Sequence, residues 1–333
     1  MEQNKTLKKR INYIDNARGI AIILMVVGHV VSGYKRAIIF SFHMPLFIII
    51  SGFFFKPGRN LKEEITNIFK KLIIPYIVSI IIIHIVRALV IGDNINILNI
   101  LEQIILAYSN KKTFFQDVET VGVLWFIPFL AMCKIIFWSI NKISKDNEVI
   151  KACLCLICTM VGILLEKMEI YLPWSFDIVL ASIIFYYIGY FMKKNEVLEE
   201  ILENYKILLC IVVLYIVGAM FGYIELAIRK YPFGLICYIT AISGTIIVFK
   251  ISKIIEEISK IMTKILCWYG KNSMYILCAH FLEMGIIPYN SIGITEKWKL
   301  IIVKLIIVTL ITYGYTSLVK IIKRRKVIWN MII

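Results

Sequence analysis

Ten long apolar stretches, separated by short polar loops, dominate this chain of 333 residues. Each stretch is close to the length that an α-helix needs to cross about 30 Å of hydrocarbon. With 60% hydrophobic residues and a mean hydropathy of +0.81, the chain has too few polar residues to cover a water-soluble domain. We therefore predict an all-α, polytopic membrane helix bundle that residues 1–333 form as one domain. The ten predicted spans are 17–34, 37–55, 72–91, 121–140, 149–165, 174–192, 207–224, 231–249, 266–288 and 300–319.

The Lys and Arg residues lie mainly in every second loop. These alternate loops and the two termini hold 24 of them, whereas the intervening loops hold nine. Because basic loops stay on the cytoplasmic side, we predict a cell-membrane protein with both termini in the cytoplasm. The net charge of +16 is then mostly a topology signal. It does not indicate a nucleic-acid partner, since the basic residues are spread over several short segments.

The first predicted helix carries an arginine and a histidine within its apolar sequence. Arg18 and His29 are eleven residues apart, which places them on one helical stripe with an axial separation of about 16 Å. Asp15, Ile22 and Met25 fall on the same stripe. A charge inside a bilayer costs about 3 kcal/mol, so it usually faces a cavity or a partner. For Arg18 the alternative is snorkelling or an ion pair with Asp15, whereas the short side chain of His29 has no interface within easy reach.

Histidines also occur in the second and third predicted spans. His43 and His29 flank a short turn, so an antiparallel hairpin should bring both imidazoles to a similar depth. Pro45 should kink the second span near His43 because proline lacks a backbone donor. His43 is then either a site residue or a partner for the freed carbonyl groups. We interpret His84, in the third span, as structural.

The longest connection, residues 92–120, is predicted to lie outside. Its apolar residues Ile95, Leu98, Leu101 and Ile105 recur at helical spacing. The spacing indicates an amphipathic helix that lies on the bilayer surface.

The ninth predicted span begins with polar residues. Asn272 and Ser273 lie at its cytoplasmic start, and His280 and Glu283 lie deeper on nearly the same face. The last two can form a helix-packing hydrogen bond or part of a polar relay. The sequence leaves both interpretations open.

Two further groups of residues could bind ligands. Lys70 and Lys71 precede the third span, where they either fix topology or bind an anion at a helix start. Cys153, Cys155 and Cys158 form a CxCxxC string, but no histidine or carboxylate accompanies them. We therefore predict no metal site.

Four blocks of the chain resemble acyltransferase family 3, a family of integral membrane acyltransferases, and especially its fucose 4-O-acetylase-like branch. The first is the Arg18 to His29 spacing in the first helix. The others are SFHMPLFIIISGFFF in the second span, LWFIPFL in the middle of the chain and GKNSMYILCAH near its end. The resemblance implies ten spans and transfer of an acyl group, usually acetyl from acetyl-CoA, to a hydroxyl group. The implied acceptor is a sugar or another cell-envelope glycan, including a lipid-linked one.

The resemblance also implies roles for individual residues. It points to His29 as the essential histidine and to Arg18 as its basic partner. Lys70 and Lys71 stand where many members have arginines, and they keep the positive charge but not the bidentate fork that binds phosphate.

These observations combine into one mechanistic hypothesis. Arg18, Lys70 and Lys71 bind the phosphates of acetyl-CoA, and the thioester runs through a tunnel shared by Arg18 and His29. His29 then acts as a general base, or alternatively as an acetyl-histidine nucleophile, with His43 as an orienting or acceptor-binding residue. The residues expected to contact a substrate are Asp15, Asn272, Ser273 and His280. The alternative function is a transporter or flippase of an envelope precursor, in which the histidines only relay protons.

Overall fold

The computed structural model describes residues 12–110, 118–145, 147–289, 291 and 293–332, without the side chains of 318–320 and 322–332. It is 80% helical and has no β-strand in these ranges, which confirms the predicted all-α class. The basic N-terminal residues up to 11 and the lysines at 111 and 112 lie outside the described residues. The helices are α1 Asn12–Gly28, α2 Tyr34–Phe40, α3 His43–Phe53, α4 Leu61–Ile68, α5 Ile74–Ile91, α6 Ile97–Leu106, α7 Phe126–Ile143, α8 Glu148–Lys167, α9 Phe176–Lys194, α10 Val197–Glu203, α11 Tyr205–Phe221, α12 Ile236–Ile258, α13 Lys260–Lys271, α14 Ser273–Ile286 and α15 Lys297–Ile332.

The predicted spans all fall on helices, but not all of these helices are long. Among the described residues, seven helices are long and apolar enough to cross a membrane. There are eight if α10 and α11, which meet at 88°, form one span. The predicted span 266–288 is divided between α13 and α14 at Asn272. The count of ten spans and the cytoplasmic position of both termini stay predictions.

The second predicted span is broken close to the proline. α2 ends at Phe40 and α3 begins at His43, so the break at Ser41 and Phe42 lies just before His43 and Pro45. The missing N–H of Pro45 leaves the carbonyl of Ser41 without its helical donor, which accounts for the break. Hereafter the end of the bundle that carries the α1–α2 turn is called the outer end, and the opposite end is called the inner end.

α1 is the central helix of the bundle. It contacts α3, α12, α13 and α14 and buries most of its side chains against them. Glycines allow α1 and α13 to approach closely, because a Cβ at Gly19 would overlap the backbone of Leu266 and a Cβ at Gly270 would overlap that of Asp15. Small residues at such crossings are typical of membrane helices, which associate through close packing.

A second close crossing joins α3 and α9. Gly52 lies against the backbone of Tyr186, and Gly189 lies against the backbone of Ile49. The reciprocal glycines fix α3, and therefore His43 at its start, relative to the core of the bundle.

A buried ion pair holds the loop between α11 and α12 at the outer end. Arg229 and Asp177 are both buried, and the Arg229 Nε donates to Asp177 Oδ2 over 2.5 Å. The carbonyl oxygen of Ala227, in the same loop, accepts from Ser109 Oγ at 2.7 Å and from Asn110 Nδ2 at 2.8 Å. These bonds tie the loop to the segment after α6.

The predicted amphipathic helix is present as α6. Its apolar residues Ile97, Leu98, Leu101 and Ile105 are exposed, and Asn96 caps its start by accepting from the backbone N–H of Leu98. The exposed apolar face agrees with the predicted position at a bilayer surface.

Candidate active site

A cavity of about 310 Å³ lies beside α1. Residues of α1, α2, α3, α7, α14 and the loop between α11 and α12 form its wall, and most of them are apolar. A largely apolar cavity with a few convergent polar groups is typical of a ligand site. The polar lining residues are His29, Arg36, His43, Ser109, Glu225 and Ser273.

The predicted stripe of α1 faces this cavity only over its outer half. Ile22, Met25 and His29 line the wall, and of these three only His29 is exposed. Arg18, one turn below Ile22, does not line it, and its guanidinium lies 3.7 Å from the Asp15 carboxylate. Arg18 therefore lies beyond this cavity, whose wall on α1 ends at Ile22, and the tunnel shared by Arg18 and His29 stays a prediction. Asp15 is buried against Arg18 and does not reach the cavity either.

The two predicted site histidines are separated by an aromatic ring. The Phe40 ring centroid lies 5.7 Å from that of His29 and 4.7 Å from that of His43. His43 is buried, and its Nδ1 lies 3.1 Å from the carbonyl oxygen of Ile39. This contact assigns the proton to Nδ1 and leaves Nε2 as an acceptor. His43 thus lines the cavity and also binds a carbonyl next to the helix break. Its structural role is seen directly, and its role as a site residue stays a prediction.

A buried polar network lies behind His29. The rings of His29 and His280 are 5.3 Å apart, centroid to centroid. His280 Nδ1 lies 2.9 Å from Glu283 Oε2, and Lys304 Nζ donates to Glu283 Oε1 over 2.6 Å. The Nε2 atom of His280 has no hydrogen-bond partner among the described residues. His280 is fully buried and does not line the cavity, so it lies behind His29 as seen from the cavity. Its contact with a substrate stays a prediction.

Tyr289, which lies in the connection between α14 and α15, also contacts this network. Lys304 Nζ lies 4.2 Å from the centroid of its ring. Burial and the neighbouring Glu283 carboxylate raise the pKa of Tyr289 well above its ordinary value, so the phenol stays neutral.

Basic residues gather at the inner end, below the cavity. Lys134 of α7 lies within electrostatic range of Arg18, Arg59 and Lys71, and of one carboxylate, Glu64. Arg59 and Glu64 form an ion pair at 3.0 Å. Lys134 was not among the residues predicted from the sequence, although a lone lysine within an apolar span is a visible signal.

The remaining predicted residues occupy different positions. Lys70 and Lys71 are both exposed on a π-helical turn, Phe69–Ile73, and the adjacent Leu72 lines the cavity. Ser273 also lines the cavity, whereas Asn272 donates from Nδ2 to the carbonyl of Trp268 at 2.8 Å. Asn272 therefore provides a hydrogen bond to a backbone carbonyl near the C-terminal end of α13.

An ion pair that the sequence did not predict marks the outer end of the cavity. Arg36 Nη2 lies 2.6 Å from Glu225 Oε1, and the Arg36 guanidinium lies 4.6 Å from the centroid of Phe40. Tyr223 donates from its hydroxyl to Glu225 at 3.0 Å. No local pattern connects these residues, because Arg36 and Glu225 are 189 positions apart.

Metal ligands are not grouped in the part of the chain that the structure describes. No cluster of three or more His, Cys, Asp or Glu side chains there could hold a metal ion. Cys155 is buried and Cys153 is exposed, so the residues of the CxCxxC string do not face a common point.

The chain was compared with known families, curated proteins and solved structures. The family model of the acyltransferase family 3 domain, described as an acyltransferase domain, matches residues 11–320. No curated protein and no solved structure gave a significant match. The matched region contains α1 to α14 and most of α15, and it includes the whole cavity wall.

Proposed function

The chain belongs to acyltransferase family 3 and is a multi-pass membrane acyltransferase, and we propose that it moves an acetyl group from acetyl-CoA to a hydroxyl of a sugar in a cell-envelope glycan. The observation that carries this proposal is the position of His29 on the wall of a largely apolar cavity inside the bundle. An imidazole at this position can act on a thioester that is bound in the cavity.

The basic residues at the inner end fit the donor. Coenzyme A is polyanionic, and Arg18 and Lys71 are cations that each lie within electrostatic range of a third cation, Lys134. In the predicted orientation this end faces the cytoplasm, where acetyl-CoA is available. Arg18 then binds the nucleotide part of acetyl-CoA below the cavity, and it does not touch the reacting thioester.

The thioester arm passes from these cations into the cavity beside Leu72 and Ser273. The wall farther along is mostly apolar and suits a slender, uncharged arm. Ile22 and Met25 lead along α1 to His29, where the acetyl carbonyl comes to rest.

The reaction needs one base at that position. His29, in its neutral form, removes the proton from the acceptor hydroxyl as the hydroxyl oxygen attacks the acetyl carbonyl carbon. The new C–O bond forms, the C–S bond breaks, and the departing thiolate of coenzyme A takes the proton from the imidazolium of His29. We favour this general-base route over an acetyl-histidine intermediate, since it uses the imidazole without a second transfer.

His280 and Glu283 serve as positioning residues in this scheme. The Glu283 carboxylate binds His280 and Lys304, and the His280 ring lies against the ring of His29. The network limits the rotation of His29, and it does so without contacting either substrate. His43 is held by the carbonyl of Ile39 and turns its remaining nitrogen toward the acceptor.

Acetyl-CoA labelled in the acetyl group tests the proposal. Purified protein in nanodiscs, supplied with membrane glycans, should release the coenzyme A thiol and transfer the label to the glycan fraction. Mass spectrometry of envelope glycans from cells with and without the protein should show the added mass of an acetyl group. An intact thioester together with movement of the glycan across the membrane would favour the transporter alternative and refute the proposal.

A further inference from the structure

A second cavity, of about 650 Å³, opens at the outer end of the bundle. It lies between α5, α6, α14 and the segment that precedes α7, and it is separate from the cavity that contains His29. Five of its eight lining residues are polar, whereas only six of the 24 residues around the first cavity are polar. The lining residues are Ile83, His84, Arg87, Gln103, Val118, Glu119, Thr120 and Phe281.

A chain of hydrogen bonds builds the polar wall of this second cavity. Gln103 is 5% exposed, and its amide oxygen lies 3.1 Å from His84 Nε2. Its amide nitrogen donates to Glu119 Oε2 at 2.9 Å. The hydroxyl of Tyr76 donates to the Gln103 backbone carbonyl, which fixes this residue further. Three separate segments of the chain therefore hold the polar groups in a defined arrangement.

The wall between the two cavities is thin. Phe281 lines the second cavity, and Gly122 lines the first. A Cβ at Gly122 would lie 3.0 Å from the Phe281 ring, so the two residues are in contact and no side chain lies between them. The residue before Phe281 is His280, whose ring contacts His29. α14 thus connects the second cavity to the candidate catalytic histidine through consecutive residues.

We propose that the second cavity binds a sugar ring of the acceptor, an inference that rests on the proposed function. A sugar carries several hydroxyl groups, each of which needs a hydrogen-bond partner when it leaves water. Glu119 and His84 supply hydrogen-bonding groups at positions that Gln103 fixes, whereas the wall of the first cavity is mostly apolar. The Phe281 ring offers an apolar face for the C–H side of a pyranose.

The charges of the second cavity favour a neutral sugar over an anionic group. Arg87 is its cation, but Arg87 is already paired with Asp93 at 2.6 Å. The Glu119 carboxylate on the same wall would repel a phosphate or a uronate. A neutral hexose or deoxyhexose needs no unpaired cation and is not repelled by the Glu119 carboxylate.

The bound sugar reaches the reaction centre through the thin wall. When the Phe281 ring turns aside, one hydroxyl passes over Gly122 into the first cavity. Its proton goes to His29, its oxygen bonds to the acetyl carbon, and coenzyme A leaves as the thiol. The second cavity thus holds the acceptor while the first holds the donor.

Binding of methyl glycosides tests this assignment. Methyl glycosides of glucose, galactose, fucose, rhamnose and N-acetylglucosamine are added to the purified protein in nanodiscs, and contact is measured by saturation-transfer NMR. We expect at least one to bind, and Glu119→Ala to weaken its binding about tenfold, the loss expected for a hydrogen bond to a charged group. Glu102→Ala, which removes an exposed carboxylate of α6 outside the cavity, should leave binding unchanged.

Three results would overturn the inference. The first is that none of the glycosides binds the wild-type protein, and the second is that Glu119→Ala and Glu102→Ala bind equally well. The third is binding that survives Glu119→Ala but is lost in Arg36→Ala, which would place the sugar in the first cavity. If labelled acetyl-CoA is cleaved in any of these cases, the proposed function stands and only the sugar site is refuted. An uncleaved thioester in the wild-type protein refutes the proposed function itself.

Discussion

The imidazole rings of His29 and His280 lie 5.3 Å apart at an angle of 49°, and only His29 lines the cavity. His280 is bound to Glu283, which is bound in turn to Lys304. This arrangement distinguishes one histidine that lines the cavity from another that is buried behind it.

A change at His280 should therefore affect the rate of transfer and not the binding of the donor. His280→Asn removes the ring that supports His29, and a small displacement of a catalytic group can cost up to about 100-fold in rate. We expect kcat to fall by about tenfold to 100-fold while the KM for acetyl-CoA stays constant. Tyr275→Phe, on another face of α14, is the matched control. A raised KM with an unchanged kcat would show that His280 contacts the donor instead.

The basic residues at the inner end should control the affinity for acetyl-CoA. Lys71→Ala and Lys134→Ala should each raise the KM for acetyl-CoA about twofold to fivefold, the range expected for partly exposed ion pairs. The effect should shrink as salt is added. Lys70→Ala should have a smaller effect, because Lys71 is among the main electrostatic neighbours of Lys134. An equal rise in Lys62→Ala, an exposed lysine of α4, would contradict a specific phosphate site.

The crossing of α3 and α9 should not tolerate a methyl group. Gly189→Ala places a Cβ against the backbone of Ile49, and such overpacking costs about 1–3 kcal/mol in the free energy of unfolding. Gly314→Ala, a helical glycine with no atom near its Cβ position, should be neutral or slightly stabilising. Thermal unfolding of both variants in one detergent measures the difference. Equal unfolding midpoints for Gly189→Ala and Gly314→Ala would mean that α3 and α9 can move apart to accommodate the added methyl group.

The buried ion pair at the outer end should be essential for stability. Arg229→Met leaves the Asp177 carboxylate buried without its cation, which costs about 3–5 kcal/mol. Replacing both residues, as Arg229→Met with Asp177→Leu, should restore much of that loss. Lys299→Met breaks an exposed pair with Glu296 and should cost about 1 kcal/mol or less. The measurement is the free energy of unfolding of the wild-type protein and of the three variants. Similar losses in Arg229→Met and Lys299→Met would contradict the prediction.

The sequence predicts those parts of the site that lie on one helix. The period of α1 places Ile22, Met25 and His29 on one face, and the structure confirms that this face lines the cavity. The same period could not show that the cavity wall ends before Arg18, since the end depends on how other helices pack.

Contacts between residues that are far apart in the sequence could not be predicted from it. The Arg36–Glu225 pair joins a helix start to a loop, and neither residue lies in a periodic pattern. The cluster around Lys134 forms because α7 packs against α4 and the π-helical turn that carries Lys71, and no local signal specifies this contact. Helix periodicity reports which face is polar, but not which face of another helix meets it.

The most direct test of the account is the rate of acetyl transfer by His29→Ala. The labelled acetyl-CoA assay compares this variant with the wild-type protein at equal amounts of folded protein in nanodiscs. We predict that transfer falls by about 100-fold to 10,000-fold, the contribution of a general base, while expression and thermal stability are unchanged. Transfer by His29→Ala at the wild-type rate would show that His29 is not the general base.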